Sequence, residues 1–259
     1  MTISLSDYFG NEGIKQISLE ELVDLNKKGM GDAVEQRLTQ IEKLICSRSG
    51  DLVPLEREMY NLIYGCNLFG NVDCFRASDV KVILPYLDKS VKGREKVLDV
   101  GSGTGLKTVY LALNNPGTYF VALDVQAIAL SELEKRAKKY GCKNIGIVQG
   151  DLLAAPFSKA FDMVLVSNMI HESACVERDY EYNDFNMGNK FQNMIRILRP
   201  GGKLLISHAN CSGFADVYAR EMDYNMQKQG LSDIKTELLY SGESEILEIF
   251  GVKNGQRLL

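Results

Sequence analysis

The feature that most restricts this chain is a pattern that begins near residue 95 and recurs: a short apolar run, a turn marked by Gly or Asp, then a helical period. Parallel β/α units read this way, because each buried strand must be covered by a helix before the next strand is laid beside it. The runs are Lys96 to Val100, Tyr119 to Leu123, Ile145 to Val148, Met163 to Val166 and Lys203 to Ile206. All are rich in Val, Ile or Leu and short enough for buried strands. Between the last two, Phe191 to Leu198 has helical spacing and stops at Arg199-Pro200-Gly201-Gly202, where proline and glycine end a helix ahead of the fifth strand. Phe214 to Gln229 predicts another helix. Ile234 to Tyr240 and Glu245 to Val252, flanking Ser241-Gly242, predict a closing hairpin. The expected fold class is α/β, a doubly wound, mostly parallel seven-stranded sheet with an antiparallel C-terminal hairpin.

The first ninety residues show helix-start signals instead of this alternation. Ser18-x-x-Glu21 and Asp32-x-x-Glu35 each resemble a capping box, and Val34, Leu38, Ile41, Leu44 and Ile45 share one helical face. Gly29-Met30-Gly31 separates these two helices, a third segment spans Pro54 to Phe69, and a fourth runs from Ser78 to Leu84, stopped by Pro85. The expected division is a helical N-terminal extension over 1–92 and a ligand-binding α/β domain over 93–259.

Composition narrows the partners. With 259 residues, 45% of them hydrophobic, the chain can build one substantial core and a smaller appendage. A formal net charge of −4 supplies no global positive field for a phosphate backbone, so no nucleic-acid partner is expected. Lys135, Arg136, Lys138, Lys139 and Lys143 read as a charged solvent face, because Glu132 and Glu134 interleave with them. The six cysteines form no C-x-x-C pair, which fits free thiols in a reducing cytosol. No signal-peptide pattern and no run near eighteen apolar residues is found, so a cytoplasmic protein without a membrane partner is expected.

The stretch richest in chemistry is Val97-Leu98-Asp99-Val100-Gly101-Ser102-Gly103-Thr104-Gly105, a strand running straight into a glycine loop and then a helix. Such a loop at a strand's carboxyl end marks a ligand cleft in open α/β sheets. The dinucleotide fingerprint needs Gly or Ala where this chain has Leu106. Asp99 would also face a pyrophosphate with like charge, whereas it suits an ammonium group. Loop amides satisfying Asp99 without any ligand are the alternative.

These residues resemble those of the class I S-adenosylmethionine-dependent methyltransferases of small-molecule type, over about 95 to 252. The resemblance implies that Asp99, Gly101, Gly103 and Gly105 hold the methionine end of S-adenosylmethionine, with Ser102 beside them. It implies that Asp124, nineteen residues after Gly105, accepts the ribose hydroxyls next to Val125. Asp124 capping the helix that starts near Ala127 is the alternative. Gly150-Asp151-Leu152 resembles the adenine-edge motif, with Asp151 accepting from the amino group and Leu152 packing near the ring; a plain turn aspartate is the other reading. Phe161 to Val166 followed by Ser167-Asn168-Met169-Ile170-His171 resembles the fourth motif, with Asn168 at the cofactor, and Leu198 to Lys203 resembles the turn into the fifth strand.

Departures narrow the class further. The N/D-P-P-Y/F sequence of base amino-methylating enzymes is replaced by Ser167-Asn168-Met169-Ile170. Asn168, His208 and Asn210 offer no carboxylate for the metal-dependent catechol type, so no catalytic metal is expected. Glu172 and Glu177 only loosely imitate the arginine-methylating loop, and Cys175 and Cys211 do not match the arsenic methyltransferase spacing. The only two histidines, His171 and His208, fall at carboxyl ends of strands. The resemblance makes His171 the preferred general base and His208 a second candidate, with a cap or packing role as the alternative for each. Tyr180, Tyr182 and Phe185, or Tyr8, Phe9, Tyr60 and Tyr64 from the N-terminal helices, are candidates to line an acceptor pocket. The N-terminal helices serve as a lid or as a homodimer contact. Methyl transfer to oxygen or nitrogen of a small molecule is the leading reading; a cyclisation in the same fold and a non-catalytic cofactor-binding module are the competitors.

Overall fold

The computed structural model describes residues 2–18, 21, 24–25, 28–46, 58, 61–62, 66, 70, 73–74, 77–154, 157–167, 191–209, 215–241 and 244–253. Its centre is β1 (Lys96–Val100), whose last four residues are buried. β1 runs parallel to β2 (Tyr119–Asp124) on one side and β4 (Phe161–Ser167) on the other. β3 (Ile145–Gln149) lies outside β2, and β5 (Leu198–Ala209) lies parallel to β4. Two antiparallel strands, β7 (Ser244–Lys253) and then β6 (Leu231–Ser241), complete the seven-stranded order β3-β2-β1-β4-β5-β7-β6. The order reverses at β1 and β4, and that reversal opens a crevice outside the carboxyl ends of these strands.

Alternating residues feed two cores. Leu98, Val100, Val164, Val166, Leu204 and Ile206 turn to one face and meet Phe191 and Met194 of the helical turn at 191–197 and Met222 and Met226 of α6 (Ala215–Lys228). Val97, Met163, Leu165 and Leu205 turn to the other face. There they meet α1 (Leu5–Glu12), α3 (Ala77–Val91) and α4 (Leu106–Asn114). Each such side chain removed from water contributes roughly 1.5–3 kcal/mol. Two further helices are α2 (Asp32–Cys46) and α5 (Ala127–Lys139). The doubly wound α/β class and its closing hairpin are therefore as expected, with helices at the N-terminal side.

Several local expectations are corrected. Pro85 does not stop a helix at Leu84, because α3 continues to Val91 with Leu87 and Val91 buried; apolar burial outweighs the one hydrogen bond that proline removes. Asp32 is the first helical residue of α2 and not its cap, since the carbonyl of Gly31 accepts from Val34 and Glu35 at 2.8 and 3.2 Å. The capping box at Ser18 and Glu21 does form, with reciprocal bonds of 2.8 and 3.1 Å. β5 begins at Leu198 and not at Lys203, and its ladder with β4 shifts register between Phe161 and Met163. β3 is not buried: it is a sheet edge with Ile147 exposed. Tyr8 and Phe9 are buried in the core against α4, where Tyr8 Oη donates to the Leu106 carbonyl at 2.9 Å. No described helix is long and apolar enough to cross a membrane.

Candidate active site

The crevice floor is built by the glycine loop. After Val100 the chain turns through Gly101, Gly103 and Gly105, all in the left-handed region at φ of 69°, 54° and 73°. The amides of Gly101 and Ser102 donate to the Leu123 carbonyl at 2.8 and 3.2 Å, which ties the end of β1 to the end of β2. Gly105 is the N-cap of α4, and a Cβ built there would lie 2.3 Å from Leu133 Cγ of α5. Glycine is thus required twice at this position, by its φ and by the close approach of α5.

Asp99 and Asp124 adjoin the loop, and a third acid, Asp151, follows β3. Asp99 is only 3% exposed and accepts a 2.5 Å bond from the Thr108 hydroxyl. Burial pushes its carboxyl above the usual range, against the pull of Lys107 and Thr108, and the neighbouring Asp124 adds to the rise. Asp124 at the end of β2 accepts from the Gly103 amide at 2.8 Å and from the Gln126 amide at 2.9 Å. Burial raises its carboxyl as well, opposed by backbone hydrogen bonds from Gln126, Gly103 and Val125. Gln126, not Asp124, occupies the N-cap of α5, so the simple capping alternative for Asp124 does not describe this chain. Asp151 Oδ1 accepts from Leu153 N at 2.9 Å, and the Asp151 carbonyl accepts from Ala154 N, closing a single helical turn over Leu152–Ala154. Leu152 is buried in the core beside β2 and β4.

An adenosyl cofactor with a cationic amino-acid tail fits this set of groups. The Asp99 carboxyl is buried on the neutral Thr108 hydroxyl, and among the described residues Ser102 Oγ is buried without a hydrogen-bond partner. Each is a site that an ammonium or carboxylate would satisfy. Val125 and Leu153 remain 40% and 43% exposed on either side of Asp124 and Asp151, apolar surface suited to a flat ring. Asn168 and His171 lie outside the described residues, as do Tyr60, Tyr64, Glu172, Cys175, Glu177, Tyr180, Tyr182, Phe185, Asn210 and Cys211. His208 is placed by its main chain only, in β5 opposite Leu247 of β7. Among the described residues no group of three or more His, Cys, Asp or Glu is arranged to hold a metal ion.

The sequence reading missed four residues that support the loop. Thr108 lies in the first turn of α4, where a threonine following a glycine loop carries no distinctive signal. Thr104 Oγ1 donates to Asp73 Oδ2 at 3.0 Å, and Arg136 Nη1 donates to the Thr104 carbonyl at 2.6 Å. The sequence pattern puts Arg136 with its neighbours on a solvated face. That holds for Lys135 and Lys138, which pair with Glu132 and Glu134. It fails for Arg136, whose side chain is 12% exposed. The available signal was its place three residues after buried Leu133 and one before buried Ala137.

The reversing sheet order, the glycine loop ending β1 and the acid ending β2 define a doubly wound domain built for an adenosyl cofactor. The family described as "Methyltransferase domain" matches residues 92–250, and the chain belongs to it, as a class I S-adenosylmethionine-dependent methyltransferase domain. Among curated relatives, the ribosomal RNA large subunit methyltransferase G of Pseudomonas fluorescens is 29% identical over 153 residues, covering 58% of this chain and 39% of that one. The release factor glutamine methyltransferase of Chlorobaculum tepidum is 33% identical over 166 residues, covering 52% of this chain and 56% of that one. The chain thus spans 39% and 56% of the length of these two relatives. Among solved structures, the N-methyltransferase NodS of Bradyrhizobium japonicum in complex with S-adenosyl-L-homocysteine superimposes with a TM-score of 0.52 at 18% identity, covering 68% of this chain and 86% of that one.

Proposed function

We propose that this protein transfers the methyl group of S-adenosylmethionine to an oxygen or nitrogen atom of a small-molecule acceptor. The observation that carries the cofactor assignment is the buried Asp99 carboxyl just ahead of the glycine loop, held by the Thr108 hydroxyl. In this reading Asp99 and the amides of Gly101 to Gly105 receive the methionine tail, and Ser102 Oγ completes its polar contacts. Asp124 keeps the bonds from Gly103 and Gln126 on one lone pair of each oxygen and offers the remaining pairs to the ribose hydroxyls. Val125, Leu152 and Leu153 flank the adenine, and Asp151 accepts from its amino group. The bound sulfonium supplies an activated methyl group. The protein's part is to orient the acceptor in line and to exclude water. Where the acceptor carries a proton, His171 or His208 removes it.

A small acceptor is favoured over a nucleic acid by the net charge of −4, and over a base amino group by Ser167-Asn168-Met169-Ile170, which has no proline pair after β4. The helical segment over 1–92 serves as a substrate-recognition cap, and a homodimer contact through the same helices is the other use open to it. The test is transfer of radiolabelled methyl from S-adenosylmethionine into three acceptor pools: a small-molecule extract, ribosomal RNA and release factors. Label in the small-molecule pool alone is expected. Label confined to RNA or to protein would overturn the acceptor assignment and leave the cofactor site standing.

A further inference from the structure

An ionic cluster with no counterpart in the motifs joins the N-terminal segment to the glycine loop. Its hub is Arg136 of α5. Nε donates to Glu12 Oε2 of α1 at 2.6 Å, Nη2 donates to Asp73 Oδ2 at 3.1 Å, and Nη1 donates to Thr104 Oγ1 at 3.0 Å as well as to its carbonyl. Thr104 returns a bond to Asp73, and Lys139 Nζ reaches both Glu12 Oε1 and the Asn11 carbonyl at 2.8 and 2.7 Å. All three charged groups bonded to the guanidinium or bearing it are largely removed from water, with side-chain exposures of 12% for Arg136, 8% for Glu12 and 16% for Asp73. Beneath them Tyr8 stacks at a tilt on Tyr110 and Tyr140 with ring centroids 5.4 and 5.3 Å apart, so α1 is clamped over the start of α4.

The geometry has a functional consequence, because Thr104 sits between Gly103, whose amide binds Asp124, and Gly105, which caps α4. A planar guanidinium presents its donors in fixed directions, so it makes four bonds at once to Glu12, Asp73 and the two oxygens of Thr104, one more than the three donors of an ammonium allow. We propose that Arg136 is a positioning residue for the cofactor: it couples docking of α1 and of Asp73 to the shape of the glycine loop, so that the N-terminal segment is a component of the cofactor site. By linkage, the cofactor in turn tightens α1. This inference rests on the cofactor assignment proposed above.

The test uses the full chain, S-adenosylhomocysteine as the probe, and two readouts: calorimetric affinity and amide exchange across Leu5–Glu12. For the wild type, binding is expected to slow exchange in that helix. Arg136→Met should weaken binding about tenfold, within the usual range of coupling between sites, and abolish the ligand-dependent slowing in α1. Arg136→Lys should recover only part of either effect. Should Arg136→Met fail to fold by circular dichroism, Asp73→Asn and Glu12→Gln, which keep the shape and an acceptor oxygen, carry the same expectations at smaller size. A folded variant that binds within twofold of the wild type, with α1 slowed as before, overturns the coupling and leaves the cofactor site intact. No binding by the wild type overturns the cofactor assignment and this inference with it.

Discussion

Replacing Asp99 by Asn separates what the buried carboxylate costs from what it does. The side chain is 3% exposed and accepts from one neutral hydroxyl, that of Thr108 at 2.5 Å. Burial raises its carboxyl above the ordinary value of 3.8. A carboxyl raised by folding destabilises the native state as pH climbs from the ordinary value through the folded one, and the cost persists at every higher pH. Asn keeps an acceptor for Thr108 and removes the charge, which should stabilise the free protein by about 1–2 kcal/mol at pH 7. For a chain of this size that raises Tm by about 2–8 °C. In the proposed mode of binding the same change removes charge-assisted bonds to the ammonium of the cofactor, about 1.5–3 kcal/mol, which would weaken binding by about 10–150-fold. Differential scanning calorimetry of the free protein and isothermal titration with S-adenosylhomocysteine measure the two effects. They should carry opposite signs, and the gain in Tm should vanish at pH 3, where both states of Asp99 are protonated. A variant that melts lower and binds as tightly as the wild type would refute the reasoning.

Other substitutions probe the rest of the site. Asp124→Ala strips the acceptor from the Gly103 and Gln126 amides and should weaken S-adenosylhomocysteine by about 2–3 kcal/mol; unchanged affinity in calorimetry would remove Asp124 from the ribose. Gly105→Ala meets both a φ of +73° and a 2.3 Å approach to Leu133. A cost of about 2–5 kcal/mol follows, and a loss in Tm under about 3 °C would contradict it. Burial acts to raise the Glu12 carboxyl, but hydrogen bonds from Lys139 and Arg136 outweigh it and hold the group below its ordinary 4.5. Its stabilising contribution is therefore full above 4.5 and lost as pH falls through the folded value. Glu12→Gln should lower stability to chemical denaturation at pH 7, and the penalty should shrink as pH falls below 4.5; a penalty that does not change with pH would point to packing alone.

The strands are legible because Met163 to Val166, buried on both faces, is an unbroken apolar run, and Val97 to Val100 is interrupted only by Asp99. The same rule misread β3, an edge strand whose Ile145 and Ile147 imitate a buried one. Pro85 misled because its local cost is visible in the sequence, whereas the burial of Leu87 and Val91 that repays it exists only after packing. In the site, Asp99, Asp124 and the three left-handed glycines follow from chain order, since strand ends meet at a reversal of the sheet. Arg136, Asp73 and Glu12 did not, because they lie 63 and 124 residues apart from hub to partner and no local pattern records a bond across that distance.

The most direct measurement is a crystal structure of the protein with S-adenosylhomocysteine. The account predicts its amino group within hydrogen-bonding reach of Asp99, its ribose hydroxyls on Asp124 and its adenine between Val125 and Leu153. A ligand bound elsewhere, or lying in the crevice with its amino-acid tail turned away from Asp99, would contradict it.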